Sequence, residues 1–149
     1  MQEQGADKEL KGHVAANNRA FGGVWCVFMN ALERMSDTPT PESGWWSLLT
    51  IPSDRGDIAF FPWLGRNLYV RLLYIPGKFP VRIEYGDVRK KGESTELVPL
   101  LQIATDADGK LASGKAINDE NAFNAHRLAM VAVTNKLAKA PDIDTFEPF

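Results

Sequence analysis

Apolar residues follow two different spacings along the chain, and these spacings predict where helices and strands lie. Near the N-terminus, one set recurs at the spacing of a helical face: Val24, Val27, Phe28, Ala31, Leu32 and Met35. The unbroken apolar run over 24–29 follows two glycines and suits a buried strand equally well. The pattern therefore leaves helix or strand open for 24–35. A short helix is expected over 8–21, and the two prolines within 36–44 indicate a loop.

The middle of the chain alternates apolar and polar residues, which is typical of strands. The clearest unit is a β-hairpin over 67–86, with Pro76 and Gly77 at the central positions of its turn. Its core-facing rows are Leu68, Val70, Leu72 and Tyr74, then Phe79, Val81, Ile83 and Tyr85. Further strands are predicted within 45–52, 57–65 and 96–105. Pro99 indicates that the last of them lies at a sheet edge or a bulge.

A final helix is predicted from about Asp119 to Ala140, with Asn118 as its N-cap and Pro141 as its end. A narrow stripe of alanines along it, at 122, 125, 129 and 132, indicates close packing. The predicted fold class is β-dominated α+β, with about five antiparallel strands in an OB-like small barrel or a curved sheet. We expect a flexible segment at 1–8, one globular domain at 9–140 and an acidic tail at 141–149.

The composition is that of an ordinary globular chain, and its most informative feature is the distribution of charge. The 149 residues are 44% hydrophobic and 24% charged, with one cysteine. No apolar run could span a membrane. We expect a cytoplasmic protein without a disulfide or a multi-cysteine metal site. The net charge of −2 is unevenly distributed along the chain. The tail carries acids only, whereas the segment 55–91 carries eight bases and three acids. This asymmetry suits an anionic partner for the middle of the chain, and it suits a chance cluster of charges in a surface hairpin equally well.

Residues that could carry catalysis are sparse. His126 lies inside the last helix and is interpreted as a helix residue with a satisfied ring, and Cys26 as a small buried hydrophobe. The sequence "DADGKLASG" at 106–114 lacks the later ligands of a calcium loop and is predicted to be a turn. We expect no enzyme activity, no cofactor and no metal site. A small enzyme with an unrecognised site stays an alternative.

The basic segment also carries aromatic residues, and this combination suits single-stranded nucleic acid. Tyr69, Arg71 and Leu73 lie on the hairpin face opposite the core, together with Arg82 and Glu84 of the second strand. Bases stack on aromatic rings while guanidinium groups contact phosphates. The candidate nucleic-acid-binding residues are Trp46, Arg55, Trp63, Arg66, Tyr69, Arg71, Lys78, Arg82, Arg89, Lys90 and Lys91.

The last residues, "PDIDTFEPF", are acidic, lack bases and finish on Pro148 and Phe149. Residues 142–149 resemble the C-terminal tip of bacterial and phage single-stranded DNA-binding proteins. That family has denser acids and an aliphatic residue before the proline, where this chain has Glu147. The resemblance implies that Phe149 enters an apolar pocket on a replication or repair protein and that the acids steer it there. The implied partner-binding residues are Asp142, Asp144, Phe146, Glu147, Pro148 and Phe149.

These features together predict a non-enzymatic single-stranded DNA-binding protein of a phage or mobile element, with a tail that recruits partners. The main alternative is an interaction protein or inhibitor that docks on a host replication or defence protein through its tail and never binds DNA. A further alternative is that Phe146 and Phe149 pack into their own domain. Oligomeric state, DNA against RNA, binding-site size and the partner stay open.

Overall fold

The computed structural model describes residues 2–36, 56–137 and 144–149 as an α+β fold. The helices are α1 (Gln2–Ala20), α2 (Cys26–Ser36) and α3 (Ala122–Lys136). The strands are β1 (Ile58–Trp63), β2 (Arg66–Tyr74), β3 (Val81–Lys91), β4 (Ser94–Thr105) and the two-residue β5 (Asp144–Thr145). The strand predicted within 45–52 lies outside the described residues.

Residues 24–35, which the sequence left open, are helical. A π-helical turn (Phe21–Trp25) joins α1 to α2, and the Cys26 N–H donates to the Phe21 carbonyl five residues earlier. Two glycines at 22 and 23 lie in this turn, and glycine is tolerant of such local departures from α geometry. The helical segment thus continues from Gln2 to Ser36, so α1 begins inside the segment that was expected to be flexible.

The four long strands form an open antiparallel sheet in chain order, and β5 joins its β4 edge in parallel. The predicted hairpin is confirmed as β2 and β3, which pair from Leu68 with Asp87 to Tyr74 with Val81. Among the described residues β1 pairs with β2 alone, so the OB-like barrel is not confirmed. Over the described residues the sheet is open, and helices pack on one of its faces.

The bulge predicted at Pro99 is confirmed. The β3–β4 register shifts between Tyr85, which is opposite Leu101, and Gly86, which is opposite Pro99. Leu100 is the extra residue, and its side chain is buried. Proline donates no backbone hydrogen bond, so a bulge on an outer strand accommodates it at little cost.

The core lies between one sheet face and the helices α2 and α3. His126 of α3 is fully buried at its centre, with aromatic rings from α2, β1, β3 and α3 around it: Phe28, Phe61, Tyr85 and Phe123. The Tyr85 hydroxyl and His126 Nδ1 lie 2.7 Å apart, which gives both polar groups a buried partner. The predicted satisfied histidine is therefore confirmed.

The start of α3 is organised by two asparagines. The Asn118 Oδ1 accepts hydrogen bonds from the Glu120 and Asn121 N–H groups, as an N-cap side chain does. The helix itself begins three residues later than predicted, at Ala122. The predicted alanine stripe is buried at 122, 125 and 129, which confirms its close packing.

Gly86 lies opposite Tyr69 in the β2–β3 register, on the face away from α2 and α3. A Cβ atom at Gly86 would overlap the Tyr69 ring and hydroxyl, so the ring lies directly against the glycine backbone. An aromatic ring that covers a cross-strand glycine replaces the side-chain contact that glycine cannot make. Glycine is therefore required at position 86, because the Tyr69 ring lies too close to the backbone for any side chain there.

We expect Gly86→Ala to lower the free energy of unfolding by about 1–3 kcal/mol, because the new methyl group must displace a buried ring. Urea unfolding followed by circular dichroism measures this change. Gly12→Ala is the matched control, since its Cβ meets nothing within 4 Å and alanine favours helix. Equal stability of Gly86→Ala and wild type would contradict the described packing of Tyr69.

Candidate nucleic-acid interface

The sheet face away from α2 and α3 carries a connected set of polar side chains, here called the Glu84 network: Tyr69, Arg71, Arg82, Glu84 and Gln102. The buried Glu84 carboxylate accepts hydrogen bonds from the Tyr69 hydroxyl at 2.9 Å, Arg71 Nε at 2.7 Å and Gln102 Nε2 at 2.8 Å. The Gln102 Oε1 in turn accepts from Arg82 Nη1 at 3.1 Å. One buried acid therefore orients two arginines, one directly and one through Gln102.

Tyr69 was predicted to stack with bases, and the structure contradicts this. Its side chain is fully buried, lies against Gly86 and has the Arg71 guanidinium 5.5 Å from its ring centroid. Burial raises the pKa of the Tyr69 hydroxyl, and the hydrogen bond to Glu84 raises it further. A ring that is covered on both sides cannot receive a base, so Tyr69 has a structural role.

A second buried carboxylate lies on the opposite face of the same strand, in a group here called the Asp87 cluster: Arg66, Asp87 and Arg89. The Asp87 Oδ2 accepts from Arg66 Nη1 at 3.2 Å and from Arg89 Nε at 3.1 Å. The Asp87 side chain is only 3% exposed, whereas both arginine side chains are 49% exposed. The acid is thus enclosed while the two guanidinium groups remain accessible to solvent.

Each carboxylate neutralises one charge and orients two arginines, so each group keeps one net positive charge. The groups differ in accessibility, because the Arg71 side chain is 31% exposed and is held against Tyr69. They also differ in their neighbours. Trp63 is the cross-strand partner of Arg66, and Lys91 follows Arg89 by two residues on the same face of β3. The Asp87 cluster therefore has an indole and a further base beside it.

The remaining predicted residues do not form one surface. Trp63 is half-buried and donates from Nε1 to Thr134 Oγ1 at 2.9 Å. Lys90 and Lys91 are exposed near the β3–β4 turn, and Lys78 lies in the β2–β3 turn with its Nζ 5.6 Å from the Phe79 ring centroid. Trp46 and Arg55 lie outside the described residues. The predicted single face is thus divided between two sides of the sheet.

The end of the chain contacts its own domain. In β5, Asp144 and Thr145 pair with Leu101 and Gln102, and the Phe146 N–H donates to the Gln102 carbonyl at 2.7 Å. Phe146 and Phe149 pack against the hydrophobic core, and Pro148 is buried. Glu147 is exposed, while Asp142 lies outside the described residues. In this conformation the two phenylalanines assigned to a partner's pocket pack against the core of their own chain.

The described residues show no arrangement for metal chemistry. No group of three or more histidine, cysteine, aspartate or glutamate residues that could hold a metal ion is found in the described part of the chain. The Asp106 Oδ1 accepts from the backbone N–H groups of Asp108 and Lys110, which confirms the predicted turn. Across the described ranges, no helix is long and apolar enough to cross a membrane.

Sequence reasoning missed the buried role of the two acids. The sequence pattern places Glu84 on the face with the arginines, and it assigns Asp87 no role beyond that of one of the three acids of 55–91. One signal was present: three acids stand among eight bases within 55–91. Acids isolated in a basic strand pair are candidates for buried partners of arginine.

Comparison with known proteins gives no assignment: no protein-family model, no curated protein and no solved structure matches this chain.

We expect the free energy of unfolding to fall as the pH rises above about 10, the usual pKa of tyrosine. Burial raises the pKa of Tyr69 and of Tyr85, so the native state keeps these protons while the unfolded chain loses them. Tyr69→Phe removes one of these groups. Urea unfolding between about pH 9 and 11 should therefore show a smaller loss of stability in Tyr69→Phe than in wild type. The same loss in both proteins would contradict a protonated, buried Tyr69.

We expect Phe146→Ala and Phe149→Ala each to lower the free energy of unfolding by about 1–2 kcal/mol, because both half-buried rings contact the core. Thermal or urea unfolding measures the change. The exposed Glu147 supplies the matched control, and Glu147→Ala should stay within about 0.5 kcal/mol of wild type. Unchanged stability in both phenylalanine variants would mean that the rings are free to occupy another protein's pocket.

Proposed function

We propose that this protein binds single-stranded DNA without catalysis, through the Asp87 cluster together with Trp63 and Lys91. The single observation that supports the proposal most is the Asp87 carboxylate, which holds two half-exposed arginines side by side. Arginines whose orientation is fixed in advance lose less entropy when they bind phosphate, and their planar groups suit bidentate contacts.

The neighbours of the cluster supply the other requirements of single-strand binding. Trp63 is half-buried and anchored to Thr134, so its indole is a rigid group beside Arg66. A base that stacks on such a ring gains affinity without sequence preference. Lys91 extends the positive charge along β3 toward the β3–β4 turn, where Lys90 is exposed on the other face. The proposed surface thus follows one end of an open sheet and requires no barrel.

The negative charge of Glu96 lies beside this surface and offers a test in which binding should become stronger. Glu96 is the cross-strand partner of Arg89 and is exposed, so its charge reduces the attraction for phosphate. Removal of this charge by Glu96→Gln should strengthen binding, whereas removal of Arg89 or Lys91 should weaken it. The Glu84 network is assigned a structural role in the sheet.

The alternative function, an interaction protein that docks through its tail, requires Phe146 and Phe149 to leave the core. The same release is required if the DNA-binding protein recruits replication or repair partners through its tail. Because both rings contact the core in this conformation, the contacts favour the nucleic-acid proposal over the alternative. Tail docking on a partner is therefore retained only for a state in which the tail is released.

The test is fluorescence anisotropy of labelled dT oligomers titrated with wild type, Arg89→Ala, Lys91→Ala and Glu96→Gln at several salt concentrations. A variant that makes one phosphate contact fewer should have a slope of log affinity against log salt that is smaller by about 0.7. We expect Arg89→Ala and Lys91→Ala to bind more weakly with reduced slopes, and Glu96→Gln to bind more tightly.

Lys115→Ala is the matched control, because Lys115 is exposed in a loop far along the chain from the cluster. It should bind like wild type. If wild type shows no binding at low salt, the proposal fails. If Lys115→Ala weakens binding as much as Lys91→Ala does, the attraction is not localised at the Asp87 cluster.

A further inference from the structure

The turn between β1 and β2 holds a leucine in an unfavourable backbone conformation. Trp63 and Arg66 are the last cross-strand pair of these strands, so Leu64 and Gly65 are the two central residues of the turn. Their φ angles are 50° and 76°, and two positive values are characteristic of a type I′ turn. Such a turn favours asparagine, aspartate or glycine at its first central position, whereas a leucine there crowds its own backbone. Among the described residues, Leu64 alone combines a side chain with a positive φ.

The Leu64 side chain is also unfavourably placed with respect to water. It is 68% exposed, the highest value among the large apolar side chains of the described ranges. A side chain that is so exposed contributes little to the hydrophobic core, so packing within the domain does not explain why a leucine occupies this turn. A residue that is unfavourable both for its backbone and for its hydration points to a role in binding.

The turn lies at the end of the sheet that carries the Asp87 cluster. Leu64 directly follows Trp63 and is separated from Arg66 by one residue. Because β2 and β3 are antiparallel, the β1–β2 turn and the β3–β4 turn lie at the same end. The exposed charged side chains of these two turns and the adjoining strand ends are four bases and two acids: Arg66, Arg89, Lys90, Lys91, Glu93 and Glu96. The surroundings of the leucine are therefore net positive, which suits an anionic partner.

A nucleic-acid strand is an anionic partner that also presents apolar surface. Its bases have flat apolar faces, and leucine is one of the side chains that proteins insert between neighbouring bases. A free phosphate would use the arginines but not the leucine. We propose that Leu64 inserts between two neighbouring bases of the bound single strand while Arg66 and Arg89 contact its phosphates. This inference rests on the proposed function and adds to it a residue that contacts the bases.

Insertion gives the surface a preference among base sequences. The inserted side chain must separate two stacked bases before it can enter, and thymines stack more weakly on one another than adenines do. The cost of insertion is therefore smaller in oligo-dT than in oligo-dA, so wild type should bind oligo-dT more tightly. Phosphate contacts alone give no such preference, because they carry no direct sequence information.

The test compares Leu64→Asn with wild type by fluorescence anisotropy, with labelled oligo-dT and oligo-dA at several salt concentrations. Asparagine suits the left-handed conformation, so the variant should unfold at no lower urea concentration than wild type. We expect its affinity for oligo-dT to fall at least about fivefold, because the apolar contact with the bases is lost. Its preference for oligo-dT over oligo-dA should shrink. The slope of log affinity against log salt should stay unchanged, since no phosphate contact is removed.

Ile75→Asn is the matched control, because Ile75 is a 44% exposed apolar residue that follows β2 at the opposite end of the sheet. It should bind both oligomers like wild type. Wild-type affinity in Leu64→Asn would overturn the inference and leave the proposed function standing, and so would an equal loss in Leu64→Asn and Ile75→Asn. A salt slope reduced as in Arg89→Ala would also overturn it, because the leucine would then act through the phosphate contacts. Absence of binding by wild type would overturn both proposals.

Discussion

The sheet depends on the pairing of two buried carboxylates of its central strand with arginines from that strand and its neighbour. Glu84 and Asp87 lie on opposite faces of β3, and both side chains are enclosed. A buried carboxylate without partners costs several kcal/mol, so its neighbours must supply donors. Arg71 and Gln102 do this for Glu84 from the two adjoining strands, and Arg66 does it for Asp87. The positions of the basic residues therefore follow from the positions of the acids.

This dependence gives the two faces different characters. On the face with Glu84, the hydrogen bonds are directed inward and include a tyrosine that covers Gly86, so the polar groups are used within the sheet. On the face with Asp87, which is the face that packs on the helices, the same kind of pairing leaves the arginines half-exposed. The pairing of a buried carboxylate with arginines thus stabilises the sheet on the face with Glu84, and on the face with Asp87 it leaves a group that is accessible and carries a net positive charge.

The sequence predicted the elements whose signals are local and missed those that depend on register. The alternation of apolar and polar residues, together with the Pro-Gly turn, was sufficient to predict the β2–β3 hairpin. Pro99 indicated the bulge, and the alanine stripe indicated that α3 packs closely. The helix at 24–35 could not be separated from a strand, because a short apolar run satisfies both periods. The arginines were singled out as a set from their density in the sequence. However, their assignment to faces and acids requires the cross-strand pairing, and the burial of Tyr69 follows from a glycine on another strand. The tail contacts likewise join residues about forty positions apart.

The π-helical turn between α1 and α2 holds one residue more than an α-helical turn within about one revolution of the same continuous backbone. Deletion of either Gly22 or Gly23 would therefore restore regular α geometry and leave α1 and α2 at nearly the same rotation relative to each other. Val24 and Phe28 would stay in the core, and the exposed Leu10 and Val14 of α1 would keep their direction. A deletion elsewhere in either helix would instead turn one part of it by about 100° relative to the other. A single-residue deletion at this point is thus neutral in phase, because the extra residue of the wide turn absorbs it.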